Sequence, residues 1–142
     1  MNRYLMLGAL GVVAITQAGC GTQVRTLPIQ QINAAPAMKT DVAVYFGTQG
    51  HPAVQQRLGE ATFSVRIARS TQTADVSCQA AFADALGKLR DDARAHNANA
   101  VINVTTRFHD TTSSAPSEFT CGVSPSAAAI AVRGERVVLQ PE

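Results

Sequence analysis

The chain has no tryptophan, 5% aromatic residues and two lysines, Lys39 and Lys88, in 142 residues. Each scarcity excludes something. With so few aromatics there is little on which bases can stack, which argues against a single-strand nucleic-acid platform. The 12 basic and 10 acidic residues give a formal charge of +2. Arg3 departs with any cleaved leader, so the chain lacks the electrostatic footprint that nucleic acid requires. Neither lysine follows a glycine-rich loop of the kind that ends in Gly-Lys-Ser/Thr and holds phosphates. "MKTD" lacks the glycines, and "LGKL" sits inside a helical pattern. An ATPase is therefore excluded. Cysteine is limited to Cys20, Cys78 and Cys121, and histidine to His51, His96 and His109. No C-x-x-C or H-x-x-x-H spacing points to a metal.

Long apolar runs are missing too. The stretch Tyr4–Ile15 in "MNRYLMLGALGVVAITQAGC" follows one early positive charge, Arg3. It falls well short of the ~20 residues that span a bilayer, and it has the length of a signal-peptide core. Ala18 and Gly19 lead directly into Cys20, an arrangement that resembles the lipobox of bacterial lipoproteins, where cleavage precedes a cysteine that becomes acylated. Gln17 stands where that pattern has an aliphatic residue. The alternative is ordinary cleavage after Ala18, which would leave a soluble periplasmic protein. The resemblance implies a signal peptide at 1–19 and a lipid, palmitate included, on Cys20. Two or three acyl chains give stable attachment where one does not. Gly21 stands where the resembled inner-membrane retention signal has Asp, which implies the periplasmic face of the outer membrane.

Residues 20–39 are rich in Thr, Gln, Ala and Pro, with Pro28 and Pro36, and read as a lipidated N-terminus followed by a flexible linker. "TLPIQQI" is apolar enough to offer an edge strand instead. Residues 40–142 then read as one small domain. "DVAVYFG" is strand-like and "GTQGHP" a turn; "GEATFSVRIA" alternates apolar and polar residues with period two, a strand with one buried face. From Ser77 the period changes. Phe82, Leu86, Leu89 and Ala93 lie four, three and four apart, opposite most of the charges, and predict an amphipathic helix of about five turns. Ser77 is the expected N-cap and Asn97 the left-handed cap at the far end. "NAVINVTTRF" is a strand, "HDTTSSAPSE" a loop, and "AAAIAV" and "RVVLQ" flank Arg133–Gly134, which reads as a tight hairpin turn. The expected fold is α+β: a small mixed sheet with one long amphipathic helix packed on one face.

The residues "CQAAFADALGKLRDDARAHNANAVINV…EFTCGVSPSAAAIAVRGERVVL" resemble the YbjQ-like heavy-metal-binding family. Its pattern has a cysteine before an Ala- and Leu-rich helix, then Gly-Ala-Asn-Ala-Val opening a strand, then Phe-x-Cys and a final hairpin. Asn97 replaces the glycine of that pattern. The resemblance extends to small lipoproteins labelled "excinuclease ATPase subunit", a label that the missing P-loop contradicts in this chain. It also extends to the fold of the outer-membrane lipoprotein sensor of the Rcs envelope-stress phosphorelay, which carries two disulfides. Here at most one can form. YbjQ-like relatives can assemble into rings, so the resemblance also raises a homo-oligomer.

With Cys20 lipidated, Cys78 and Cys121 remain. In an oxidising compartment paired thiols oxidise. A helix running about 27 Å away from Cys78, and a strand returning about 30 Å, let the two cysteines meet. A disulfide is the expected outcome, and a mature domain of roughly 100 residues gains from such a staple. The other readings of Cys78 are a metal ligand and a nucleophile. The nucleophile needs a base and an oxyanion stabiliser, and no histidine is tied to it. The histidines read as exposed structural residues, and Asp91 and Asp92 as a solvated face. No catalytic residue, metal site or cofactor is expected. The sequence thus predicts a non-catalytic envelope lipoprotein, a binding or envelope-stress-sensing module that is membrane-attached at Cys20 and contacts an envelope protein or the cell wall. The alternative is a metal-binding or thiol-redox protein using Cys78 and Cys121.

Overall fold

The computed structural model describes residues 21–29 and 42–141. The leader at 1–19, Cys20 and residues 30–39 of the expected linker lie outside the described residues. Seven strands form one mixed sheet: β1 (Gln23–Pro28), β2 (Ala43–Phe46), β3 (Val54–Ala68), β4 (Ala100–Phe108), β5 (Thr111–Ser113), β6 (Glu118–Val123) and β7 (Ala127–Leu139). One helix, α1 (Ala74–Ala95), connects β3 to β4. This is the α+β architecture expected from the sequence.

Strand β7 is the spine. One edge pairs antiparallel with β3, from Val54↔Leu139 to Ala68↔Ala127. The other edge takes β6 at its start, through Gly122↔Ala129, and β4 thereafter, from Arg107↔Ala131 to Ala100↔Val137. The outer edge of β4 carries β2, parallel, and the short β5, antiparallel. Strand β1 closes the far side by pairing antiparallel with β6.

The helix face holds the main core. Phe82, Leu86, Leu89 and Ala93 of α1 are fully buried, as their spacing predicts. They pack on Val65, Val101, Val104, Phe119, Ile130 and Val132 of the sheet. The Phe82 ring stacks on Phe119 with centroids 4.2 Å apart and touches Phe46 at 5.8 Å. Side chains alternate between the two faces of a strand, so Ala100 and Ile102 point the other way. There they form a smaller apolar cluster with Val137 and Leu139.

Four expectations need correction. The linker reading fails for Gln23–Pro28, which is the edge strand β1. Leu27 packs on the core, Arg25 bridges to Asp75 of α1 at 2.9 Å, and Pro28, which cannot donate a ladder bond, sits in the sheet's outermost strand. The helix starts earlier than Ser77. Thr73 is the N-cap, its hydroxyl accepting from the Val76 N–H at 3.2 Å, and Ser77 is buried inside the helix. Arg133–Gly134 is no hairpin turn: both residues lie in the middle of β7, which runs on antiparallel to β3 across this point. The expected loop after Phe108 contains β5. Asn97 does take the left-handed conformation expected of it, with φ 61°.

Candidate functional site

Cys78 and Cys121 are joined by a disulfide, with Cα atoms 5.9 Å apart and a sequence separation of 43. Both residues are fully buried. Cys78 lies in the second turn of α1 and Cys121 in the middle of β6, so the bond ties helix to sheet. Because α1 begins at Ala74, Cys78 is not at the helix head. The favourable field of the N-terminal amides falls off within the first turn, which removes the physical basis for a thiolate nucleophile at this position.

The histidines are placed apart. His51 is exposed in the turn after β2, its Nδ1 2.7 Å from the Pro52 carbonyl oxygen and its ring against Tyr45. His109 sits in the β4–β5 turn with φ 49°, its ring edge-on to Phe108. His96 caps the C-terminus of α1, with Nδ1 2.8 Å from the Asp92 carbonyl oxygen. Among the described residues no three His, Cys, Asp or Glu side chains come together in a way that could hold a metal ion. No described helix is long and apolar enough to cross a membrane.

Asp91 and Asp92 part ways. Asp91 pairs with Arg94 along the exposed face of the helix. Asp92 instead accepts from Arg136 Nη1 at 3.0 Å, and Arg136 Nε donates to the Leu58 carbonyl at 3.2 Å. Their side chains are 20% and 14% exposed, so this is a half-buried clamp between the end of α1 and the β3–β7 pair rather than a solvated face. No sequence motif announces it, since the partners are 44 residues apart.

The sheet face turned away from α1 carries a second set of residues that the sequence reading passed over. Beyond the apolar cluster around Ile102, this face turns polar and basic. Arg66 of β3, Arg107 of β4 and Arg133 of β7 are all exposed. A hollow of about 460 Å³ is lined by Glu60, Thr62, Thr105, Arg107, Thr112 and Arg133, with Ala131 beneath. The sequence signal was the period-two pattern of β3, whose polar positions were read only as solvent-facing.

These features define a small disulfide-stapled α+β domain whose open sheet face is polar and basic. No protein-family model matches the chain, and no characterised protein matches it in sequence. The fold is similar to the crystal structure of a protein of unknown function from Pediococcus pentosaceus ATCC 25745 that belongs to the DUF74 family. The TM-score is 0.51 with 11% identity, covering 70% of this chain and 98% of that one. DUF74 is the YbjQ-like heavy-metal-binding family, so the likeness in fold agrees with the resemblance read from "CQAAF…NAVINV…FTC".

Proposed function

We propose that the chain is a non-catalytic lipoprotein of the bacterial envelope, anchored in the outer membrane through Cys20, whose domain serves as a binding or sensing module facing the periplasm. The observation that carries this reading is the buried Cys78–Cys121 disulfide, taken with a leader that ends at a third cysteine. Structural disulfides persist in exported proteins and are rare in reducing compartments. The burial of both sulfurs favours a staple over the thiol-redox alternative, which needs a sulfur within reach of a partner thiol. The dispersal of His51, His96 and His109 weighs in the same direction against the metal-binding alternative.

The test has two independent arms. Metabolic labelling with a palmitate analogue, on the wild type and Cys20→Ser, reads the anchor. Labelling of the wild type, together with loss of label and membrane attachment in the variant, supports it, and retained attachment in Cys20→Ser overturns it. Thiol alkylation with intact mass on the exported, never-reduced chain reads the staple. Alkylation at neither Cys78 nor Cys121 and a mass lower by about 2 Da, two hydrogens lost on forming the S–S bond, support it. Two free thiols with a metal retained in the native spectrum would put the ligand reading first.

A further inference from the structure

The registers of β3, β7, β4 and β5 arrange the basic face in rows. Ser64, Ala131, Arg107 and Thr112 lie side by side across four strands, and Thr62, Arg133 and Thr105 form the next row. On the other side of the first row, Arg66 lies opposite Ala129. Rows two residues apart on a strand are about 7 Å apart, and neighbouring strands about 4.8 Å. Three guanidinium groups therefore stand one per row in a staggered triangle, Arg66 and Arg107 on the strands flanking β7 and Arg133 on β7 itself, over a floor of Ala129 and Ala131. The hollow at Arg133 and a second one of about 300 Å³ at Arg66 both include Arg107 and Ala131 among their walls, so the two adjoin and together make a trough.

The charge in this trough is unbalanced. Arg133 is paired with Glu60, with Nε 3.1 Å from Oε2. Arg66 and Arg107 make no ion pair among the described residues, and Glu60 is the one acid among the described residues lining either hollow. A guanidinium fork pairs most strongly with a planar oxyanion held bidentately. The spread of the forks selects among such ligands. An isolated phosphate calls for donors that converge on one point, whereas these occupy three successive rows about 7 Å apart along the strands. Alternate side chains of an extended polypeptide repeat at the same interval of about 7 Å. The hydroxyls of Thr62, Ser64, Thr105 and Thr112 share the rows of the arginines, where a peptide lying across the face needs partners for its main chain.

We infer that the trough across β3, β7 and β4 is a docking site for an extended, acidic segment of a partner protein, with carboxylates received by Arg66, Arg107 and Arg133. The inference deepens the binding role proposed above by naming the surface and the chemistry of the partner. It does not depend on the anchor, because the test measures peptide binding to the purified full chain while palmitate labelling reads Cys20 separately.

The probe is a fluorescent twelve-residue peptide alternating Glu with Ser, followed by fluorescence polarisation at low and moderate salt. Saturable binding that weakens with salt, and a roughly tenfold loss in each of Arg66→Ala and Arg107→Ala, are expected. Arg107→Lys keeps the charge without the fork and should recover part of that loss. Glu60→Gln releases Arg133 and should tighten binding about threefold, a gain that a merely structural role would not give. Unchanged thermal melts would show that these exposed substitutions leave the fold intact. Absence of binding, or equal binding by all variants, would overturn the proposal. So would tighter, arginine-dependent binding of tripolyphosphate or of anionic vesicles than of the peptide, which would assign the face to phosphate groups. A change in the size of the free chain with Arg107→Ala would assign it to a second copy of this protein.

Discussion

Gly134 of β7 lies so close to Val101 of β4 that a Cβ on it would stand 2.4 Å from Val101 Cγ1 and 3.0 Å from Val104 Cγ2. The reason is local. The β4–β7 register shifts between Ile102 and Thr105, so Asn103 and Val104 together oppose Gly134. Asn103 takes φ 54° to make this bulge. Two valines then converge on a residue that has no side chain.

Gly134→Ala should therefore destabilise the domain by about 1–3 kcal/mol through overpacking, although the same change in an ordinary strand position would favour folding. Urea unfolding of the wild type and the variant checks this. Adding Val101→Ala should recover part of the loss, because the two side chains compete for one space. If the double variant loses the sum of the single losses, the contact is not the cause.

Removing the staple has a larger effect. Replacing both Cys78 and Cys121 by Ala should cost about 4 kcal/mol by the loop-entropy argument for a loop of this length. Since both sulfurs are buried, dithiothreitol should leave the bond intact in the native protein and cut it only in denaturant. Timed alkylation at several urea concentrations distinguishes the two regimes.

The clamp at the other end of α1 offers a third test. Arg136→Ala leaves Asp92 half-buried without its main partner and should cost about 1–2 kcal/mol. Asp92→Asn should cost less, since the amide oxygen still accepts from Arg136. A double-mutant cycle between the two should show coupling of about 1 kcal/mol that persists in moderate salt, unlike that of the more exposed Arg94–Asp91 pair.

Helix capping gives the fourth. Thr73→Ala should cost about 1 kcal/mol by leaving the Val76 N–H without its acceptor. Asn97→Gly should be neutral or slightly stabilising, because Asn97 sits at φ 61°, where glycine is unstrained. Thermal melts of both variants settle the assignment of the helix ends.

Periodicity made the central elements legible. Phe82, Leu86, Leu89 and Ala93 could be placed on one buried face, and Phe63, Val65 and Ile67 in a strand, because burial imposes its period directly on the sequence. The ends were less legible. Thr73 and Ser77 are both good capping residues, and what selects Thr73 is the burial of Ser77 beside Cys78 against the sheet, a tertiary effect. Arg133–Gly134 looked like a turn because glycine commonly marks one. A glycine required by a bulge on a neighbouring strand leaves the same mark. The β1–β6 pairing, the Asp92–Arg136 clamp and the cluster of arginines join residues far apart in the chain, so no local pattern recorded them. The disulfide could be anticipated because the helix and the strand after it bring Cys78 and Cys121 within reach of each other.

The position of β1 bears on mechanics. Its first residue, Gln23, follows Cys20 by three residues, a span of at most about 10 Å. A lipid on Cys20 would thus hold the domain flush against the bilayer rather than on a long tether. Tension between membrane and domain would load the β1–β6 ladder in shear, from Gln23↔Val123 to Pro28↔Glu118. Arg25 lies opposite Cys121 in that ladder, so the load would pass through β6 to the disulfide and on into α1. The covalent bond stands where it would stop β6 from peeling away when the anchor is pulled.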